Sequence, residues 1–271
     1  MNFLYPQGKK QALTFSFDDN QDFDKKLVEI FNKNNLKGTF NINSGTLCGN
    51  IGENPDGNVY VKPEEVNELY KGHEVAAHGV DHKFIAGLSD VMIVNEFLND
   101  RRTLEQITGN LVQGAAYAFG WHDEHIMDIL KKLGFKYSRG VDSTFGFFPP
   151  QDFLDWKPTC HQGCEELFEL GESFLNCPGY IELPLMYVWG HSYEFGRSGD
   201  WSNIEKFCEM MSNKDFIWYA TNMEICDYIN ATRSLEFSAD GKKAYNPTLI
   251  EVFYKNDSSV CSIKPGEYKI L

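Results

Sequence analysis

Gln11-Ala-Leu-Thr-Phe-Ser-Phe-Asp-Asp19 opens the part of the chain that decides its fold. Residues 11–17 read as a buried strand, and two carboxylates follow where the backbone must turn. Neighbouring side chains of an extended strand point to opposite faces, so Asp18 and Asp19 can reach one cleft only at the strand's end. Downstream, His78-Gly-Val-Asp-His82 follows a third predicted strand, Glu74–Ala77. A His pair spaced i, i+4 converges on one ion if a helical turn carries it. Asp19 then completes an Asp-His-His set with room left for water and substrate. Asp18 is the spare carboxylate, and together these are the minimum equipment of a metal-assisted hydrolase.

Outward from that strand, strands and helices alternate. Residues 22–34 carry Phe23, Leu27, Ile30 and Phe31 at helical spacing, and 37–42 is the second strand. The Gly-, Asn- and Pro-rich stretch 45–63 reads as an excursion loop with a small hairpin, after which Pro63 opens a short helix to Tyr70. Ser89 caps a long helix to about residue 107. A strand is expected over 114–119, a helix over 123–133 stopped by Gly134, and further strands over 135–138, 181–187 and 216–220. Ser202-Asn-Ile-Glu205 has the form of a capping box before a helix carrying Ile204, Phe207 and Met211. Residues 249–254, 260–263 and 268–270 alternate like a small β layer. The expectation is an α/β fold with a parallel sheet, closed or nearly closed as a barrel, in one domain over 1–271. Its core spans about 11–220, with a C-terminal β-rich extension over about 235–271. Barrels place working residues where strands end, and Asp18, Asp19, His78, Phe119, Arg139 and His191 all fall there.

Composition narrows the partners. The 271 residues carry 25 Lys plus Arg against 39 Asp plus Glu, a formal charge of −14. Such a field disfavours nucleic acid and anionic membrane surfaces and suits a neutral sugar or small amide better than a strongly anionic substrate. Aromatic residues make up 14% of the chain; packing accounts for most, but several lie in predicted loops, where sugars stack. No apolar run precedes the first strand, so neither a signal peptide nor a spanning segment is expected. Seven scattered cysteines do not resemble a disulfide framework, which favours a cytoplasmic location. His122-Asp-Glu-His125 reads as a helix start with acids at its positive end, and Cys160-His-Gln-Gly-Cys164 lacks the Cys-x-x-Cys pairs of structural zinc sites. His73 reads as structural.

Thr14-Phe-Ser-Phe-Asp-Asp19, Gly38-Thr-Phe-Asn-Ile-Asn43 and Gly72-His-Glu-Val-Ala-Ala-His-Gly-Val-Asp-His82 together resemble polysaccharide deacetylases of the NodB-homology type, carbohydrate esterase family 4. The resemblance runs through about residues 11–220. It implies a distorted (β/α) barrel and one divalent metal, with Zn2+ first and Co2+, Ni2+ or Mn2+ as alternatives. It also implies removal of N- or O-acetyl groups from a saccharide. By resemblance Asp18 matches the catalytic base, and Asp19, His78 and His82 match the metal ligands. Ala116-Tyr-Ala-Phe-Gly120 lies where the family shows an Arg-x-Pro-Tyr-Gly-like run. Phe119 would then offer its backbone N–H to the oxyanion, while the Arg that tethers the base is replaced by Ala116. Arg139, at the end of the next strand, is the candidate to supply the missing guanidinium. Asp152-Phe-Leu-Asp-Trp156 matches the family's Asp-x-x-Asp-Trp pattern, putting Asp155 and Trp156 at substrate, with Asp142 as a rival. Leu185-Met-Tyr-Val-Trp-Gly-His191 resembles the closing segment and makes His191 the candidate general acid. Trp121, Trp189 and Tyr193 are candidate walls of the cleft.

Two other classes fit the same residues. One is a carbohydrate- or metal-binding protein that has lost catalysis, as Ala116 suggests. The other is a hydrolase of non-sugar amides. Oligomeric state is open.

Overall fold

The computed structural model describes residues 2–47 and 58–271. A short strand, β1 (Asn2–Leu4), precedes the long β2 (Gln11–Asp18), and α1 (Asp24–Lys33) leads into β3 (Gly38–Ile42). The short helices α2 (Ser44–Leu47) and α3 (Val66–Leu69) come before β4 (Glu74–Ala77) and the long α4 (Asp90–Thr108). Next are β5 (Gly114–Ala116), α5 (Glu124–Lys132), β6 (Tyr137–Arg139) and β7 (Cys160–His161). Then come α6 (Leu167–Leu175), β8 (Leu185–His191), α7 (Ser192–Ser198) and α8 (Ser202–Met211). β9 (Ile217–Tyr219) and α9 (Asn222–Arg233) end the alternating part. Five short strands follow: β10 (Glu236–Phe237), β11 (Lys243–Tyr245), β12 (Val252–Asn256), β13 (Ser259–Ile263) and β14 (Tyr268–Ile270).

Eight strands form one parallel sheet in the order β6-β5-β4-β3-β2-β8-β7, with β9 paired to the first residues of β2. A parallel bridge between Arg139 and Trp156 brings the stretch before β7 against β6, so the sheet curls towards closure. This is the distorted (β/α) barrel expected from the sequence. Every residue of β2 is buried, and alternation gives its two faces different roles. Leu13, Phe15 and Phe17 face the helices, with the Phe15 ring tilted 4.7 Å from Phe31 and edge-on 6.2 Å from Phe207. Thr14, Ser16 and Asp18 face inward. There Thr14 Oγ1 donates to Asn222 Oδ1 at 2.9 Å and Asn41 Nδ2 donates to Ser16 Oγ at 2.7 Å. The inward face of β2 is therefore a polar column that ends at Asp18.

Several boundaries differ from the reading. β8 starts four residues later than expected, at Leu185, because Pro184 has no N–H for the ladder. The strand expected over 114–119 stops at Ala116, where the chain enters a tight turn with Phe119 in left-handed conformation. Ser202 does not cap α8; it lies inside the helix and donates its N–H to Asp200 Oδ1 at 2.9 Å. The capping box forms instead at α9, between Thr221 and Glu224. Most of the hairpin region expected in 45–63 falls at 48–57, outside the described residues. The β appendage is present as two three-stranded sheets, β10-β11-β14 and β1-β12-β13. The second recruits the N-terminal strand, pairing Asn2 with Lys255.

Asp24, the first residue of α1, ties three elements together under the site. Its carboxylate accepts from Ser192 Oγ at 2.5 Å and Tyr70 Oη at 2.7 Å, and burial raises its pKa to about 7. An acid whose folded value lies above its unfolded value of about 4 keeps its proton longer when folded, so stability falls as pH rises through 7. Replacing Asp24 with Asn should flatten that fall by about 1 kcal/mol between pH 6 and 8, read from urea denaturation at each pH.

Candidate active site

Asp18 is the last residue of β2, and Asp19 and Asn20 follow with φ of 75° and 37°. Asp and Asn enter the left-handed region more readily than most residues, so this pair makes the turn that brings both carboxylates to one end of the barrel. The His pair is not helical, contrary to expectation. Residues 78–85 form a loop in which Gly79 (φ 82°) and His82 (φ 52°) are left-handed. Its geometry comes from α4, which presents Glu96 and Asp100 one turn apart and both buried. Asp100 accepts the backbone N–H groups of Ser44, His78 and Gly79 at 2.8–2.9 Å. Glu96 Oε1 accepts those of Asp81 at 2.8 Å and Lys83 at 3.3 Å. Donors that a helix would have satisfied internally are instead held by two carboxylates.

The loop brings His78 Nε2 and His82 Nε2 to 3.7 and 3.6 Å from Asp19 Oδ1. His78 Nδ1 lies 2.9 Å from the Ala116 carbonyl, which only accepts, so the ring hydrogen sits on Nδ1 and Nε2 is a bare lone pair. That Nε2 is buried with no hydrogen-bond partner among the described residues. A buried lone pair aimed at a carboxylate calls for a cation between them, so these three residues fit a divalent ion. The N,O donor set suits zinc.

Asp18 is gripped separately. Arg139 Nη2 donates directly to Asp18 Oδ2, and Asn41 Nδ2 donates to Oδ1 at 2.7 Å. His78 Nε2 is 3.6 Å from the same carboxylate. Burial pushes the Asp18 pKa up, but Arg139, then His78 and His191, outweigh it and hold the group well below the usual carboxylate range. Arg139 stands opposite Ala116 in the β5–β6 register, so the guanidinium enters beside the Ala116 methyl. It is fully buried and lies 4.4 Å over the Trp189 ring.

His191 ends β8, paired in register with Asp18, and its Nε2 is 4.0 Å from Asp19 Oδ2. Its Nδ1 is 2.8 Å from Glu194 Oε1. Burial lowers its pKa, but Glu194 with Asp18 and Asp19 raises it above the usual value. The ring of Phe119 is 60% exposed and 4.6 Å from His82. Phe84 and Trp121 continue this aromatic wall. Asp155 bonds His122 Nε2 at 2.9 Å; His122 stacks on Tyr117 and bonds the Gly120 carbonyl, so Asp155 braces the Phe119 turn from behind. Trp156 is buried among Tyr137, Phe153 and Tyr187, beneath the cleft. Asp142 is exposed. Glu96, Asp100 and Glu194 carry no reading in the sequence, while Asn41 and His161 lie within the quoted stretches 38–43 and 160–164 without a role of their own. Only the i, i+4 spacing of Glu96 and Asp100 on a long helix carried a signal for the first two.

Residues 6–138 match the family model described as polysaccharide deacetylase. Over that stretch, just under half of the chain, the protein is similar to polysaccharide deacetylases. Among solved structures, a Mycobacterium smegmatis protein assigned as a polysaccharide deacetylase is 17% identical, covering 86% of this chain and 94% of that one, with a TM-score of 0.63. A family 4 carbohydrate esterase from Streptomyces lividans, in complex with acetate, is 11% identical over 75% of this chain and 86% of that one, with a TM-score of 0.50. A family 4 pseudoenzyme from Bacillus anthracis is 14% identical over 80% and 66%, with a TM-score of 0.52. At these identities the structures share the deacetylase fold. No curated protein matches the sequence. Among the described residues, no helix is long and apolar enough to cross a membrane.

Asp100→Ala leaves two buried backbone donors, the N–H groups of Ser44 and Gly79, without an acceptor, while the His78 N–H keeps the Ile42 carbonyl at 3.0 Å. It should cost about 2 kcal/mol or more by urea denaturation and weaken uptake of an added divalent ion by about 10- to 100-fold by titration calorimetry.

Proposed function

We propose that this chain is a metal-dependent hydrolase that removes acetyl groups from an acetylated carbohydrate. The observation that carries the reading is the pairing of a cation-seeking Asp19-His78-His82 group with a second acid, Asp18, held apart by its own guanidinium. Asp19, His78 and His82 would hold a divalent ion, Zn2+ first, which would supply a more acidic water and polarisation of the acetyl carbonyl. Asp18 takes the proton from the attacking water. Arg139 and Asn41 fix the orientation of its carboxylate and keep it ionised, which also makes it a weak base, so the acidity of the water must come from the ion. The Phe119 amide donates to the oxyanion, a contribution of about 3 kcal/mol for such donors. His191 returns a proton to the leaving nitrogen or oxygen. Trp121 and Trp189 flank the cleft as surfaces for the sugar. Asp155 and Trp156 act on substrate binding through the Phe119 turn and the barrel wall. We take the chain as a single deacetylase domain. The six described cysteines are free, which supports a reducing, cytoplasmic setting.

Arg139 in contact with Asp18 argues against the binding-only reading, because the guanidinium absent at Ala116 arrives from the next strand. Acetate release from acetylated oligosaccharides should be lost with chelator and restored by zinc. Asp18→Asn should abolish turnover, by about 10³-fold or more, while metal analysis shows the ion retained; His82→Ala should lose both. Arg139→Ala should lower kcat by about 10²-fold. Full activity in Arg139→Ala, or in the chelated protein, would reject the mechanism.

A further inference from the structure

Two groups of His and carboxylate among the described residues are close enough to hold an ion: Asp19-His78-His82, and His161-His191-Glu194. Their tautomers separate them. His78 places its hydrogen on the outer nitrogen and turns a lone pair inward. His161 does the reverse: the Gly163 N–H donates to its Nδ1 at 3.1 Å, so the ring hydrogen lies on Nε2, which points at Glu194 Oε1 from 3.3 Å. An ion would have to displace that hydrogen. The second group is instead a closed hydrogen-bonded set. Glu194 Oε1 accepts from both imidazoles, and Oε2 accepts from Gln162 Nε2 at 2.5 Å.

We propose that Glu194, itself fixed by His161 and Gln162, is the residue that positions His191 to give up its proton; this rests on the deacetylase reading above. An ionised carboxylate only accepts, so His191 Nδ1 must carry a hydrogen towards Glu194. Nε2 is then the nitrogen presented to Asp19 and the cleft. Glu194 follows His191 by three residues in the first turn of α7, so the start of the helix sets the separation. Gln162 presses against the backbone just ahead: a Cβ on Gly190 would stand 2.2 Å from its Cγ. Asp155 is already committed to His122 and Lys157, so the Asp-x-x-Asp-Trp carboxylate is not the partner. As the C–N or C–O bond breaks, the leaving atom keeps the electron pair and takes the proton from His191 Nε2. The imidazole becomes neutral with Nδ1–H retained, and Glu194 stays ionised throughout.

The test uses the zinc-loaded full chain. Glu194→Gln should lower kcat on an N-acetylated sugar by about 10²-fold with KM changed less than about threefold. On a nitrophenyl acetate, whose leaving group needs no proton at pH 7, the loss should stay under about fivefold. Combined with His191→Ala, Glu194→Gln should add nothing, because the two act as a unit. Equal losses on both substrates, no loss on either, or additive losses in the double variant overturn the proposal. Nitrogen-15 NMR decides it independently of turnover. His191 should show a protonated, hydrogen-bonded Nδ1 that changes in Glu194→Gln, and a wild-type ring protonated only at Nε2 overturns it. A wild-type protein that hydrolyses no acetylated sugar sinks the deacetylase reading alone.

Discussion

The hold of α4 on the loop between His78 and His82 is the constraint on which the site depends. Two buried carboxylates on one helix face collect five backbone N–H groups from two stretches of chain. A loop with left-handed residues at Gly79 and His82 has no internal ladder to define it. The side chains of Glu96 and Asp100 act as that ladder, and the helix is the rigid body they are attached to. The direction of the His78 lone pair follows from the same arrangement, since the backbone is fixed by Asp100 and the ring by the Ala116 carbonyl.

Around this the barrel separates two carboxylates of the same type by environment. Asp19 turns outward on a left-handed residue and meets the imidazoles. Asp18 remains in the strand, at the top of a polar column that rises from Asn222 through Thr14, Ser16 and Asn41. Its partner Arg139 is wholly buried and stacked on Trp189, a costly place for a charge unless its geometry is fully used. Such a pair suits orientation better than stability: removing one partner leaves the other charge stranded.

Much of this was legible in the residues. The run from Gln11 to Asp19 announced a buried strand ending in a turn, and the barrel followed from its alternation with helical periods. That Asp19, His78 and His82 would meet was readable from spacing and strand order, whereas Arg139 was a candidate to tether Asp18 only through the family resemblance. What holds them was not. Asp100 meets Ser44 across 56 residues, and Glu194 meets His161 across a strand and a helix; local patterning carries no record of such pairings. The i, i+4 spacing suggested a helix because spacing reports separation along the chain, whereas the carboxylates of α4 dictated a different path. Pro184 is the visible reason that β8 begins late.

The seam between β1 and β12 has a consequence for how the molecule comes into being. Asn2 cannot find Lys255 until most of the chain has left the ribosome, so β1 waits with an open edge while the barrel beside it assembles from neighbouring pieces. The terminal layer is thus a late latch, closed after the catalytic end is in place. Loss of its closing strands would leave an adhesive edge beside a finished barrel.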